Sequence, residues 1–271
     1  LYFTPAVQQE MVKPEKISFS TFDNKEAHAL LYLKPDNNGK KELAPVLIYI
    51  HGGPTGMHTD TFHPIVQYFA SKGYAVCAVN HRGSIGYGKE YREVLNGNWG
   101  LYDVEDCVSA LKHLTEKNLV NSQKSCIIGG SAGGYTVLMS LVKKPKIYSA
   151  GIDLYGVSDN FSLAEDTHYL ESKYTDSLLG PLPEKAEKYI ENSPLFHAEK
   201  IIDPLLILQG VEDKVVPKSQ SESIRNRVKG HVEYYLYENE GHGFSKAKTY
   251  DEFIPTIEKF LRRYVLYGLK S

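Results

Sequence analysis

Cysteine is scarce in this sequence, and its scarcity argues against a protein held together by disulfides or by cysteine-bound metal. Only three cysteines occur, Cys77, Cys107 and Cys126, and neither their odd number nor their spacing suits a disulfide framework or a metal site. We therefore expect three buried thiols that pack as small apolar side chains in a reducing compartment.

An excess of one charge and long apolar runs are also missing. A formal net charge of −2, without a basic run along one face, argues against binding to nucleic acid. No apolar stretch has the length needed to cross a bilayer, and the chain does not open with a charged segment followed by an apolar one. We expect a cytoplasmic protein without membrane contact, and secretion after removal of a leader stays open as the alternative.

The composition is otherwise that of an ordinary globular protein, with one unusual excess. The 271 residues, 42 % of them hydrophobic and 24 % charged, suffice for a full core in one α/β domain. The chain contains 20 tyrosines, a number that fits either an aromatic-lined cleft or the covering of core edges.

One glycine-rich stretch contains the motif around which the predicted strands and helices are arranged. Gly129, Ser131 and Gly133 form a G-x-S-x-G motif between an apolar run and an apolar helical pattern, which is the context of a nucleophile elbow. Glycine is needed two residues before and after the serine, because a side chain there would collide across the turn. The helix that follows directs its first N–H groups at the serine oxygen, where negative charge develops.

Predicted strands and helices alternate around this elbow, which spans roughly residues 125–143. Two strands, Lys16–Phe22 and Ala27–Leu33, predict a hairpin, and residues 158–200 predict an excursion of short helices. Other apolar segments predict strands at Pro45–Ile50, Ala75–Asn80, Ser149–Tyr155, Pro204–Gly210 and Val232–Tyr237. We expect a mainly parallel central sheet with helices on both faces and an N-terminal antiparallel hairpin. Residues 1–15 predict a terminal arm or linker stub, and residues 16–271 one domain.

Two later strand ends supply partners for the serine. A serine hydroxyl is a weak nucleophile until a base takes its proton, and a carboxylate fixes the tautomer of that base. In this architecture the order is Ser, then Asp or Glu, then His, each after a strand. Asp213 and His242 meet that order, with Glu212 as a rival for the acid. Because strand ends converge at one sheet edge, these residues can meet.

The negative tetrahedral intermediate also needs two hydrogen-bond donors. One is the N–H of the residue after the serine, Ala132. The second is expected from the glycine-rich loop after Pro45–Ile50, where Gly53 is the best candidate; a simple tight turn is the alternative for this loop.

Further short motifs accompany the elbow over roughly residues 45–245. They are His51-Gly52-Gly53-Pro54, Asn80-His81-Arg82-Gly83-Ser84 with Gly86-Tyr87-Gly88, Trp99-Gly100 with Asp103 and Asp106, Glu165-Asp166-Thr167-His168, Gly210 to Pro217, and Gly241-His242-Gly243-Phe244. Together they resemble the catalytic domain of the prolyl oligopeptidase family of serine peptidases, especially its acylaminoacyl-peptidase and dipeptidyl-aminopeptidase-like branch. The resemblance implies an α/β-hydrolase fold and hydrolysis of peptide bonds without a cofactor.

Two departures refine what the resemblance implies. Some family members use a tyrosine side chain as an oxyanion donor, and His51 stands at that position here. This favours the acylaminoacyl-peptidase arrangement, in which the backbone N–H of Gly53 donates. Family members usually carry an N-terminal β-propeller, for which this chain has no room. We expect an excised catalytic domain or a stand-alone relative, with a missing propeller or a homo-oligomer as its partner.

The layout of the family also nominates a substrate pocket. It should follow the strand that ends at Tyr155, which points to Val157 and Phe161; ordinary core packing is the alternative. Arg82 fits either a substrate contact or an ion pair, with Asp103 or Asp106, that braces its loop.

A metal site is not expected. Four potential ligands crowd one segment, but their spacing does not force them together and serine chemistry needs no metal; they are Glu165, Asp166, His168 and Glu171.

The sequence therefore predicts a serine peptidase that hydrolyses short peptides through an acyl-enzyme. A carboxylesterase with the same triad acting on acyl substrates is the nearest alternative. A non-catalytic binding module of the same fold is more remote, because all three triad members are present.

Overall fold

The computed structural model describes residues 11–34, 42–166 and 169–269. Its strands are β1 Glu15–Ser20, β2 Glu26–Tyr32, β3 Ala44–Ile50, β4 Ala75–Asn80, β5 Val120–Gly130, β6 Ala150–Leu154, β7 Leu205–Gly210 and β8 Val232–Tyr237. Its α-helices are α1 Pro64–Ser71, α2 Lys89–Glu93, α3 Tyr102–Glu116, α4 Ala132–Lys143, α5 Asn160–Asp166, α6 Tyr169–Leu179, α7 Ala186–Glu191, α8 Lys218–Arg225 and α9 Ala247–Leu261. A 3₁₀ helix spans Pro194–Lys200 and a π-helical turn Arg262–Leu266.

Eight strands of the described chain form one sheet in the order β1-β2-β4-β3-β5-β6-β7-β8. β2 runs antiparallel to β1 and to β4, and the other neighbouring strands are parallel. The predicted hairpin and the mainly parallel sheet are confirmed. Of the predicted arm, residues 1–10 lie outside the described residues, and β1 begins at Glu15.

Helices cover both faces of the sheet, and its central strands are buried throughout. Every residue of β4, β6 and β7 is buried, as expected of parallel strands packed on both sides. Neighbouring residues of a strand point to opposite faces, and β3 shows this: Ile48 packs in the cluster with α3 and α4, and Leu47 packs in the cluster with α1 and α9. The described part of residues 158–200 consists of short helices, as predicted.

The carboxyl ends of the parallel strands converge at one edge of the sheet. Loops leave that edge after Ile50 of β3, Gly130 of β5, Gly210 of β7 and Tyr237 of β8. These loops carry the residues that the sequence nominated, because ligand sites of open α/β sheets form outside the carboxyl ends of their strands.

Candidate active site

Ser131 occupies the sharp turn between β5 and α4. Its backbone angles are φ 57° and ψ −123°, in the left-handed half of the map that non-glycine residues rarely adopt. Such a conformation costs roughly 1–3 kcal/mol and persists only where its surroundings fix it. Here the Ser131 N–H donates to the carbonyl oxygen of Leu154 in β6 (2.9 Å), which ties the turn to the neighbouring strand.

The two glycines of the elbow are required by close packing, as predicted. A Cβ on Gly129 would lie 2.6 Å from the carbonyl carbon of Gly133. A Cβ on Gly133 would lie 2.6 Å from the carbonyl oxygen of Ile50. Neither contact is with a flexible side chain, so a larger residue at either position would displace backbone of the elbow or of β3.

Ser131, His242 and Asp213 form one hydrogen-bonded chain. His242 Nδ1 lies 2.8 Å from Asp213 Oδ2, and His242 Nε2 lies 2.9 Å from Ser131 Oγ. Because an ionised carboxylate only accepts, Nδ1 carries the proton and Nε2 accepts from the serine hydroxyl. The imidazole is 25 % exposed and the aspartate side chain is fully buried. This arrangement can withdraw a proton from Ser131.

Asp213 is held in place by its own turn. Its Oδ1 accepts the backbone N–H groups of Val215 and Val216, each at 2.9 Å. Its Oδ2 also lies 3.4 Å from the side-chain nitrogen Nε2 of Gln209. Glu212, the alternative acid, is exposed, and its backbone N–H donates to the carbonyl oxygen of Glu240. The geometry therefore favours Asp213, although residue type and position in the sequence left both acids open.

Two backbone amides are available beside the serine. Ala132 begins α4, and neither its N–H nor that of Gly53 donates to another residue in the described part of the chain. The loop of Gly53 adjoins the elbow, since a Cβ on Gly52 would lie 3.5 Å from the Cβ of Ser131. Gly53 is exposed and has a φ of 128°. Assignment of both amides to an oxyanion site stays a prediction supported by this placement.

His51 lies in a group of four neighbouring rings, which we call the histidine cluster: His51, His58, His63 and His81. The rings of His51 and His81 stack at 4.8 Å, His51 meets His58 at 5.3 Å, and Tyr49 contacts both His58 and His63. Burial lowers the pKa of His51 to about 3 and that of His81 to about 4, so these rings are neutral at pH 7. The sequence did not reveal this cluster under the oxyanion loop.

Arg82 braces its loop. Its guanidinium pairs with Asp106 Oδ1 at 2.7 Å and with Asp23 Oδ2 at 2.8 Å, and its side chain is 5 % exposed. Asp103 serves a different element: it accepts the hydroxyl of Thr136 on α4 at 2.7 Å. Of the two acids considered as partners of Arg82, Asp106 is the one in contact.

The nominated pocket residues both pack in the apolar cluster that includes Ala132 of the elbow. Val157 is 3 % exposed and packs in a cluster with Ala132. Phe161, in α5, is half-buried and its ring lies 5.2 Å from that of Tyr189. The alternative of ordinary core packing describes Val157 well, and a role of either residue in substrate binding stays a prediction.

Tyr155 is a site residue that the sequence did not single out. It follows β6 with a φ of 44°, and its ring packs edge-on against that of His242 at 5.0 Å. Burial raises its pKa to about 12. Its position at a strand end was visible in the sequence, but its contact with His242 depends on the loop conformation.

The described residues offer no group of three or more His, Cys, Asp or Glu side chains suited to a metal ion. The side chains of Asp166, His168 and Glu171 lie outside the described residues. Among the helices that the structure describes, none is long and apolar enough to span a membrane.

Known proteins resemble most of this chain in sequence. The model of the prolyl oligopeptidase family matches residues 60–266. A dipeptidyl aminopeptidase BIII of Pseudoxanthomonas mexicana is 30 % identical over 95 % of this chain, and an acylamino-acid-releasing enzyme of Arabidopsis thaliana 28 % over 82 %. The chain spans 39 % of the first relative and 30 % of the second.

Solved structures show the same fold. A puromycin hydrolase has a TM-score of 0.91 and 35 % identity, with 97 % of this chain and 40 % of that chain covered. An acylaminoacyl peptidase of Pyrococcus horikoshii has a TM-score of 0.88 and 25 % identity, with 98 % and 44 % covered. These neighbours confirm the expected α/β-hydrolase fold. The chain belongs to the prolyl oligopeptidase family.

Proposed function

We propose that this chain is the catalytic part of a serine peptidase that hydrolyses short peptides through an acyl-enzyme. The observation that carries the proposal is the unbroken hydrogen-bond path from Asp213 through His242 to Ser131, at 2.8 and 2.9 Å. The names of its relatives, which are aminopeptidases, acylamino-acid-releasing enzymes and a puromycin hydrolase, support acyl transfer from an amide.

Acylation begins with attack of Ser131 Oγ on the substrate carbonyl. His242 Nε2 takes the hydroxyl proton as the bond forms, and Asp213 stabilises the resulting imidazolium and keeps it oriented. The tetrahedral oxyanion accepts the N–H groups of Ala132 and Gly53. His242 then gives its proton to the leaving amine, and the acyl group stays on Ser131 as an ester.

Deacylation repeats these steps with water. His242 removes a proton from water, the hydroxide attacks the ester, and Ser131 regains its proton when it leaves. The α4 dipole and the two amides favour the oxyanion in both halves of the reaction. Loss of one such donor costs roughly 100- to 1000-fold in turnover, so the loop of Gly53 must hold its position throughout.

The catalytic domain spans residues 16–271, and it acts in the cytoplasm. Support for a reducing compartment comes from Cys77, Cys107 and Cys126, which are buried and free. Access to the site is limited to short peptides, either by a further domain or by a second copy of the chain. A further domain is supported by the length of the relatives, since this chain covers two fifths or less of each. Comparing cleavage of a dipeptide amide with that of a folded protein tests this limit.

A substrate panel tests the peptidase proposal. N-acylated peptides, free dipeptidyl amides and short acyl esters are incubated with the protein and with its Ser131→Ala variant. We expect amide hydrolysis that Ser131→Ala and His242→Ala each abolish, with unchanged circular dichroism. A fluorophosphonate probe should label the parent protein at Ser131.

Each other outcome has a defined meaning. Rapid ester cleavage without any amide cleavage would replace the peptidase by a carboxylesterase. Failure of the probe to label folded protein would favour a non-catalytic binding module. Full activity in Ser131→Ala would refute the assignment of the nucleophile.

A further inference from the structure

A cavity of about 260 Å³ opens directly beside Ser131. Its lining residues include the aromatic side chains of Tyr49, Tyr155, Phe244 and Tyr250. Ligand pockets usually measure roughly 300–1,000 Å³, so this cavity has room for one side chain, not for several residues of a peptide.

The position of His242 indicates which half of a substrate faces this cavity. The imidazole that takes the serine proton delivers it to the leaving amine, so that amine lies on the His242 side of the serine. Gly243 and Phe244, which follow His242 directly, line the cavity. The ring of Tyr155, another lining residue, packs against the imidazole at 5.0 Å. The cavity therefore adjoins the leaving half of the substrate.

The sequence predicts that Val157 lines the acyl side of the site, and on that prediction the acyl half has a different neighbourhood. Val157 and Ala132 pack in one apolar cluster, whereas Tyr155 and Phe244 pack against another, on the face of α1 and α9. Side chains on the two sides of the scissile bond therefore meet different surfaces, and the cavity can select the leaving residue independently of the acyl residue.

Gly130 shapes the floor of the cavity. A Cβ at this position would lie 3.0 Å from the hydroxyl of Tyr155 and 3.1 Å from its ring, so the ring fills the space that a side chain at 130 would take. The rings of Phe244 and Phe253 continue the wall at 5.3 Å from each other. Aromatic walls at such spacings favour offset or edge-on contacts with another ring.

The cavity is also uncharged. Its described lining residues include no Asp, Glu, Lys or Arg. Its two histidines, His51 and His63, both have their pKa lowered by burial, so they are neutral at pH 7. A charged side chain entering the cavity would lose its hydration without gaining a partner of opposite charge.

We propose that this cavity is the subsite for the first residue of the leaving amine, and that it selects an uncharged aromatic or large aliphatic side chain there. The inference rests on the proposed peptidase function and adds to it a preference on the leaving side of the scissile bond. Charged leaving residues are discriminated against by desolvation, and alanine by the cavity that it leaves unfilled.

Internal competition among peptides measures this preference. Five peptide amides share the acyl part that the substrate panel selects and differ only in the leaving residue, which is Phe, Leu, Ala, Asp or Lys. They are digested as one mixture and their depletion is followed by mass spectrometry, so the rate ratios equal ratios of kcat/KM. We expect Phe and Leu to exceed Asp and Lys roughly tenfold or more.

A matched pair of variants locates the preference. Tyr250 lines the cavity and is 36 % exposed, and Tyr235 on β8, which is 38 % exposed, is not among the cavity-lining residues. Tyr250→Ala should lower the Phe:Ala ratio roughly tenfold, whereas Tyr235→Ala should leave it unchanged. Because ratios within one mixture are compared, a partial loss of folded enzyme does not affect the result.

The outcomes separate this inference from the function on which it rests. Equal rates for all five peptides, or an unchanged Phe:Ala ratio in Tyr250→Ala, would overturn the subsite while the peptidase stands. Absence of any peptide cleavage by protein that the fluorophosphonate probe labels would overturn the peptidase function, and the subsite with it.

Discussion

Replacement of Asp213 by asparagine would test the hydrogen-bond path at its most buried member. The carboxylate accepts two backbone N–H groups on Oδ1, from Val215 and Val216, and faces His242 with Oδ2. An asparagine of the same shape has one oxygen and one NH₂ group. Its oxygen must take the Oδ1 position, because an NH₂ group there would face two donors at 2.9 Å.

The amide NH₂ of the variant then faces His242 and reverses the protonation of the two imidazole nitrogens. Nδ1 must accept, so the ring proton moves to Nε2, and Nε2 can no longer accept the proton of Ser131. A wrong tautomer of this kind costs about 10⁴-fold in turnover, which corresponds to about 5 kcal/mol of transition-state stabilisation. The fold should persist, because both turn amides keep their acceptor.

The assay compares kcat/KM of Asp213→Asn with that of the parent, using the best peptide of the panel. Circular dichroism and thermal unfolding verify that the variant is folded. Glu212→Gln is the matched control, since Glu212 is the exposed neighbour, and its activity should equal that of the parent. A folded Asp213→Asn variant that retains a tenth or more of the parent activity would refute the tautomer argument.

Two substitutions and one pH titration test the surroundings of the site. Arg82→Met leaves the carboxylate of Asp106 buried without its cation and should lower the unfolding free energy by about 3–5 kcal/mol in urea titrations, and an unchanged midpoint would contradict the bracing role. Gly133→Ala presses on the carbonyl of Ile50 and should reduce both Tm and the rate of fluorophosphonate labelling, a result that Ser122→Ala should not reproduce.

The pKa values of His51 and His81 lie below the ordinary histidine value of about 6.5. Between pH 6.5 and about 4 the unfolded state therefore binds protons that the folded state does not. As the pH is lowered through this range, the free energy of unfolding falls by about 3 kcal/mol per ring at most. Imidazole NMR signals of His51 and His81 should therefore stay constant from pH 8 to pH 5, and titration near pH 6.5 would show that these rings are not buried as described.

The sequence predicted those parts of the fold whose signals are local. Apolar segments identified strands such as Ala75–Asn80, which is buried, and Val232–Tyr237, which forms an edge of the sheet; the structure reproduces the bounds of both residue for residue. The elbow was predictable because its steric demand acts across five consecutive residues. The order Ser131, Asp213, His242 was predictable because parallel topology brings strand ends together whatever their separation in sequence.

What the sequence could not predict depends on loop conformation. Glu212 and Asp213 are neighbours of similar chemistry, and only the turn decides which carboxylate faces His242. Likewise, Tyr155 and Phe244 lie 89 positions apart by number, yet their rings pack at 5.3 Å beside Ser131. No periodicity encodes such a contact, so the leaving-side cavity is visible only in three dimensions.

Three buried carboxylates around the site show how similar groups differ in what they do. Asp103 accepts the hydroxyl of Thr136 and anchors α4, which carries the elbow. Glu240 accepts the N–H groups of Ser245 and Lys246, each at 3.0 Å, and so closes the loop that carries His242. Asp213 alone of the three contacts the imidazole.

All three acids are satisfied by donors that their own turns or packed helices provide, which offsets the cost of their burial. The role of each acid in this site therefore follows from the donor that it faces, not from its burial or its position in the sequence. The serine is fixed by backbone contacts between strands, whereas the histidine is positioned by carboxylates at the ends of loops. Substitutions in those loops should therefore change turnover before they change stability.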